Sequence, residues 1–459
     1  MTHSADLPHR DPPSRPWAML MAIGPGIVVS GSVIGSGELI NTPIQAATFG
    51  FLLLWAVILS CVIKVFLQIE IGRHALVHGR TTIEALNTCP GPRWRGTSWI
   101  GLLYMLGYAG SLATFIGILG AIAGLMHSLW PLAASSTSSE SLWAIIVFAA
   151  TLLILWRGFY GELEKLVTFL VFGFSISVVA NLLLIQGSSL RITSEQLLSG
   201  VRFSLGEDNR QLAAFAVISL MGALGTTANE LFMYPYWVLE KGYATHVGPR
   251  DAPGWLDRVR GWVRILQVDT VTCTFLATVL TASYFLLGAS VLHGPGKEAP
   301  RGMAVVEQLS AMFTETYGRW SYGLFMFGAF CTLYSTLVVA TAATGRMCAD
   351  VVTSLKLADP QDVRVRNRLH RIFQSVFLVI CLATVLGLRQ PPDRLVMFGQ
   401  YVNGVFNTPL LIFGICWMAF KTDRRIRMNT AMAVLLLASS LVIIACLAIS
   451  LLSQSGSGH

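Results

Sequence analysis

The chain has 459 residues, of which 54% are hydrophobic and 12% charged, and its mean hydropathy is +0.63. Soluble domains carry about 25% charged residues, so the composition excludes a soluble globular protein and indicates an integral membrane protein in a lipid bilayer. The net charge of +8 reads as membrane topology, because nucleic-acid binding needs a basic face or a folded basic module and neither is found; no nucleic-acid partner is expected.

Residues 1–16 are polar and hold Pro8, Pro12, Pro13 and Pro16. They read as a disordered cytoplasmic tail rather than a signal peptide, since no small-residue cleavage site leads into a soluble region. From residue 17 to 459 the chain reads as a single transmembrane domain. Apolar stretches near 20 residues mark spans, and they fall at about 18–47, 51–77, 98–128, 141–157, 163–187, 211–239, 264–291, 319–344, 369–388, 394–419 and 428–453. The expected architecture is therefore all-α with eleven transmembrane helices. With the amino terminus inside, 23 Lys and Arg fall on inside segments, 8 on outside loops, and Lys64 inside span two. That bias obeys the positive-inside rule and leaves the carboxyl terminus outside. The eight cysteines lie mostly in apolar runs with no CxxC, and read as packing residues.

Spans one and six share an interruption. Span one contains GSGE (35–38), and span six reads VISLMGALGTTANELFMYPYW (217–237). Gly and Thr lower helix propensity, and Pro43 and Pro235 follow a few residues later. Unwound backbone at membrane depth is tolerated only where protein or a watery cavity receives its polar groups. Each interrupted span opens a group of five, at 17–190 and 211–420, with 426–453 as an extra helix. This is the layout of transporters whose paired broken helices frame a midplane site. Glu38 and Glu230 follow the two breaks. A carboxylate at bilayer depth costs roughly 2.5–3.5 kcal/mol on insertion scales and so suggests function. The other roles open to these groups are structural: capping freed amides of the second half-helix, or pairing with Lys64. If both carboxylates face one cavity, their repulsion favours a bound cation or a shared proton.

His74 and His78, four apart, would share a helix face without a nearby third ligand. Trp255 and Trp262 around DRVRG fit an interfacial amphipathic helix ahead of span seven. Residues 291–318, with Lys297, Glu298, Arg301, Glu307 and Glu315, read as a short external helix. No nucleotide-binding loop, Ser/His/Asp arrangement or HExxH is found, so neither an enzyme nor a cofactor is expected.

Several stretches resemble the Nramp metal-ion transporters. GPGIVVSGSVIGSGELI (24–40) is similar to their first span. FLQIEIGRHALVHGRT (66–81), through Gln68, Glu70, Arg73 and Gly79, is similar to their second. MFGQYVNGVFNTPLLIF (397–413) with KTDRR (421–425) is similar to their tenth span and its basic loop. The resemblance implies a LeuT-type 5+5 inverted repeat working by alternating access in a cell membrane, the bacterial inner membrane being the natural setting. The departures carry chemistry. The family's Asp-Pro-Gly-Asn falls on Gly35, Ser36, Gly37 and Glu38, so its metal-binding Asp is lost. Its Met-Pro-His-Asn-Leu-Tyr falls on Thr227, Ala228, Asn229, Glu230, Leu231 and Phe232, so the thioether and the histidine are lost. Its third-span Thr-Asp-Leu-Ala-Glu falls on Gly110, Ser111, Leu112, Ala113 and Thr114, which removes both carboxylates of the proton route. Gln400 sits near the family's tenth-span Gln, one residue further from Pro409.

The candidate binding set is Gly35, Ser36, Gly37, Glu38, Thr226, Thr227, Asn229, Glu230 and Gln400, with Glu38 and Glu230 as the metal ligands. An all-oxygen set suits hard ions, and Mg²⁺ keeps several waters and needs few carboxylates. The expected function is secondary transport of a metal cation, divalent and hard, such as Mg²⁺ or Mn²⁺. Two alternatives stand beside it: a same-fold transporter of a small amine or neutral organic solute, and a non-transporting membrane sensor. Oligomeric state is not legible from the sequence.

Overall fold

The computed structural model describes residues 9–15, 17–19, 35–157, 160–206, 209–296, 298–359, 362–388, 390–422 and 425–455, with the side chains of 160–170 and 453–455 excepted. The opening of span one, including GPGIVVS, lies outside the described residues. Its second half begins with a π-helical turn at Gly37–Asn41 and continues as α1 (Thr42–Phe49). Span two is α2 (Leu54–Ile63) running into α3 (Val65–His78). A short α4 (Thr82–Leu86) and a hairpin of β1 (Arg93–Trp94) with β2 (Thr97–Ser98), paired antiparallel with Arg93 opposite Ser98, lead to α5 (Trp99–Leu129). Then come α6 (Ser136–Arg157), α7 (Tyr160–Leu184) and the connecting α8 (Ser194–Gly200). Span six is two helices, α9 (Arg210–Ala223) and α10 (Ala228–Glu240), followed by α11 (Tyr243–Val247).

The second part continues with α12 (Trp255–Gly288), then α13 (Val305–Leu309) and α14 (Ala311–Tyr317) where one short external helix was expected. Next are α15 (Ser321–Ser354) and α16 (Val363–Leu388). Span ten is α17 (Pro392–Val402), a π-helical turn at Asn403–Asn407 and α18 (Thr408–Lys421); α19 (Thr430–Ser455) closes the chain. Among the described residues nine helices are long and apolar enough to cross a membrane, and they coincide with the expected spans two, three, four and six to eleven. Span five is α7, whose fully described part continues to Gly187 as the apolar helix Val171–Gly187.

The spans divide into a buried set and a lipid-facing set. Spans two and six bury 78% of their apolar windows, whereas α16 buries 17% and α6 22%. A helix apolar all round is expected for either surrounding, so burial separates the structural centre from the periphery where hydropathy does not. The centre is made by α9 and α10 against α3 and α17, by α5 along α17, and by α12 against α1, α2 and α3, while α19, with 28% of its apolar stretch buried, packs on α9 from the periphery.

The segment before span seven departs from the sequence reading. No separate interfacial helix forms: α12 starts at Trp255, and both Trp255 and Trp262 are buried. The indole N–H of Trp262 donates to the Arg10 carbonyl at 2.9 Å, and its ring lies 5.0 Å from that of Tyr243. Arg10 N–H donates to His246 O at 3.0 Å. The described part of the leading segment, 9–15, is thus held against α11 and the start of α12, and it covers Trp262. All eight cysteines are free thiols.

Candidate functional site

The break in span six is built by local chemistry. Helix α9 stops at Ala223, Leu224 is extended, and Gly225 takes φ +63°. That left-handed conformation suits glycine, and a side chain there would meet the Ser60 carbonyl at 2.8 Å. Thr227 then starts α10 with a capping box: its hydroxyl accepts from Glu230 N–H at 3.3 Å, and Glu230 Oε2 accepts from Thr227 N–H at 2.7 Å. Two donors that a helix start leaves unpaired are satisfied reciprocally.

Span one has a parallel device. Glu38 Oε2 accepts from Gly35 N–H at 3.0 Å, and Oε1 accepts from the Thr281 hydroxyl of α12 at 3.5 Å. The π turn that follows ends at Asn41-Thr42-Pro43, and the one in span ten ends at Asn407-Thr408-Pro409. Proline has no N–H to donate back into the helix. In each case the threonine takes up the slack, donating its hydroxyl five residues back: Thr42 to Gly37 O at 2.8 Å, Thr408 to Asn403 O at 3.0 Å. π turns concentrate at functional sites; these two both pack against α9, and a third, at Ala289–His293, follows α12.

Side-chain amides join the three helices. Asn41 Nδ2 donates to Gln400 Oε1 at 2.6 Å and Ser219 Oγ at 2.9 Å; Gln400 Nε2 donates to Ser36 Oγ at 3.4 Å; Asn403 Nδ2 donates to Gly222 O at 2.9 Å. Asn229 is tied to span three, accepting from Tyr104 Oη at 2.9 Å. Gly37 lets span one approach span six, since a Cβ there would lie 2.8 Å from Ala223 O.

These elements line a partly open cavity of about 100 Å³. Gly35, Ser36, Gly37, Glu38, Thr227, Asn229, Glu230 and Gln400 all line it, so the structure brings eight of the nine candidates together. Thr226 is the exception: it is not among the lining residues, and its hydroxyl donates to Gln68 Oε1 at 2.6 Å. Both glutamates do cap backbone amides, as one of the structural readings expected. The pairing with Lys64 does not form: among the described residues no ion pair involves Lys64, whose Nζ donates to Met221 O and, at 2.7 Å, to Leu224 O.

The sequence reading missed part of the wall. Tyr108, Phe115, Met233, Trp237, Met347 and Asn403 also face the cavity. Met233 and Trp237 lie three and seven residues after Glu230, which is one helix face; that spacing was a usable signal. Tyr108, Phe115 and Met347 come from α5 and α15 and left no local mark. The oxygen-only inventory therefore needs correcting, because two thioethers line the same cavity. Among the described residues no group of three or more His, Cys, Asp or Glu side chains is placed to hold a metal ion. The cavity offers two carboxylates, hydroxyls and side-chain amides beside an apolar, partly aromatic wall. His74 and His78 have ring centroids 4.5 Å apart, away from this cavity.

Residues 26–453 match the family model described as natural resistance-associated macrophage protein-like, or Nramp. The chain belongs to the Nramp family. Its curated relatives include the divalent metal cation transporter MntH of Xylella fastidiosa, 22% identical over 84% of this chain and 75% of that protein. Another is MntH of Acidiphilium cryptum, 24% identical over 88% and 83%. Among solved structures, a mutant of the Eremococcus coleocola manganese transporter superposes with a TM-score of 0.69 at 18% identity, covering 99% of this chain and 91% of the other. MhsT in complex with L-phenylalanine superposes with a TM-score of 0.56 at 14% identity, covering 97% and 100%. These likenesses show the fold. In the stretch 66–81 the structure gives three residues of the family resemblance local roles: Glu70 and Arg73 form a buried ion pair, with Arg73 also donating to Ile426 O, and Gly79 ends α3 in a left-handed cap at φ +61°.

Proposed function

We propose that this Nramp-family chain is a secondary transporter of a metal cation, working by alternating access, and that the cation sits between Glu38 and Glu230. The observation that carries the reading is that both carboxylates line one cavity at two helix breaks. Desolvated like charges there are relieved by a cation. With only two carboxylates, the ion keeps part of its water shell or borrows carbonyl and hydroxyl oxygens from Gly35, Ser36, Thr227, Asn229 and Gln400, the Gly37 carbonyl being taken up by Thr42. That donor set favours a hard divalent ion such as Mg²⁺ or Mn²⁺, and the thioethers of Met233 and Met347 leave the softer end of the series open to test. The family membership and the names of the relatives support the cargo class. We place the chain in a bacterial inner membrane as eleven helices in two inverted sets of five plus one, amino terminus inside and carboxyl terminus outside.

The second reading has its own observation. The cavity wall of Phe115, Met233 and Trp237 is apolar and partly aromatic, which suits the body of an organic amine. Purified protein in liposomes separates the two. Uptake of Mg²⁺ or Mn²⁺ that Glu38→Gln and Glu230→Gln abolish is expected. Absence of flux for Mn²⁺, Mg²⁺, Ca²⁺ and Fe²⁺ rules out the metal reading. A melt raised by small amines and by no metal moves the assignment to the organic solute, because only a ligand of the folded state stabilises it; a melt raised by none of them favours the non-transporting reading.

A further inference from the structure

Lys64 is fully buried inside span two, at the level of the break in span six. A cationic side chain at membrane depth is expensive and calls for a partner, yet no carboxylate pairs with it among the described residues. Its partners are the carbonyls of Met221 and Leu224. Both oxygens are freed by the break: a continuous helix would pair them with the N–H groups of Gly225 and Ala228, four residues on. They form the negative end of α9, where the aligned peptide dipoles favour a positive charge. In transporters with broken helices, unwound carbonyls and half-helix carboxyl ends are where a small co-ion is coordinated.

We propose that Lys64 is a tethered resident cation, occupying the position at the carbonyl end of α9 where a monovalent co-ion would otherwise be bound. The four-carbon stem enters beside Cys61, on the preceding turn of α2, and the ammonium replaces the ion. Lys64 also lies close enough to Glu38 and Glu230 to interact with both electrostatically. It therefore places an amine beside a cavity lined by two carboxylates before any solute arrives. This role is separate from the cargo, because it concerns the end of α9 and not the groups between which a solute sits.

The test uses the full chain in detergent without divalent metal, so its outcome is independent of the cargo reading. Thermal melts are compared in choline, sodium, potassium and methylammonium chloride at one ionic strength. The native protein should melt alike in all four. Lys64→Ala should melt lower in choline and regain several degrees, saturably, with methylammonium or sodium, which fit the vacated place. Lys64→Met, which fills the volume without charge, should melt lower and not be rescued. The proposal is overturned if Lys64→Met melts as the native protein does, if folded Lys64→Ala ignores every small cation, or if sodium raises the native melt as much as that of Lys64→Ala. Should Lys64→Ala be unrecoverable in ordinary buffer, extraction in methylammonium should restore folded protein; failure of every small cation to do so also overturns it.

Discussion

Glu230 closes a capping box and faces the cavity at the same time, so its two roles can be separated by substitution. Glutamine at the third helical position also serves a capping box, and Glu230→Gln should hold stability within about 0.5 kcal/mol while flux is lost. Glu230→Ala should lose flux and also about 1 kcal/mol of stability. Paired melts and liposome uptake check this; a Gln variant as unstable as the Ala variant would mean the charge itself holds the helix end. At this scale the sequence was informative for a physical reason. An ionisable side chain inside an apolar run has no cheap environment, so Glu38 and Glu230 stood out. Met233, Trp237 and Phe115 did not, because in an apolar span a cavity-facing residue and a lipid-facing one look the same.

The break in span six and the second half of span one act together because they touch. A methyl group on Gly37 would press on Ala223 O at 2.8 Å, and Gly37→Ala should destabilise by about 1–3 kcal/mol and slow uptake. Gly173→Ala, where a Cβ meets nothing within 4 Å, should leave both unchanged; equal losses in the two variants would refute a specific close approach. The glycines of GSGE and GALG marked the breaks in sequence, since helix propensity falls there. The π turns were not legible. Asn-Thr-Pro at 41–43 and 407–409 reads as a helix with an awkward proline, and the extra residue becomes visible only when the threonine hydroxyl is seen reaching five positions back.

At the scale of the whole molecule, hydropathy fixed nine of the eleven expected spans well and charge bias gave an orientation. A membrane-impermeant maleimide on intact cells tests the orientation. Cysteine placed at Ala134, between α5 and α6, should be labelled from outside, and cysteine at Leu357, between α15 and α16, only after lysis. The reverse pattern inverts the assignment. What hydropathy could not supply is which helices are central, because lipid and protein interior are equally apolar; α16 and span two look alike in composition and differ several-fold in burial. Nor could it foresee the docking of residues 9–15, whose prolines suggested a loose lead-in. Arg10 is clipped to His246 and Trp262, just beyond the second broken span. A tag, a fused domain or an antibody fragment attached near the front of the chain therefore gains a lever on the loop behind α10, and its effect on turnover reports mechanical strain there rather than interference with the solute.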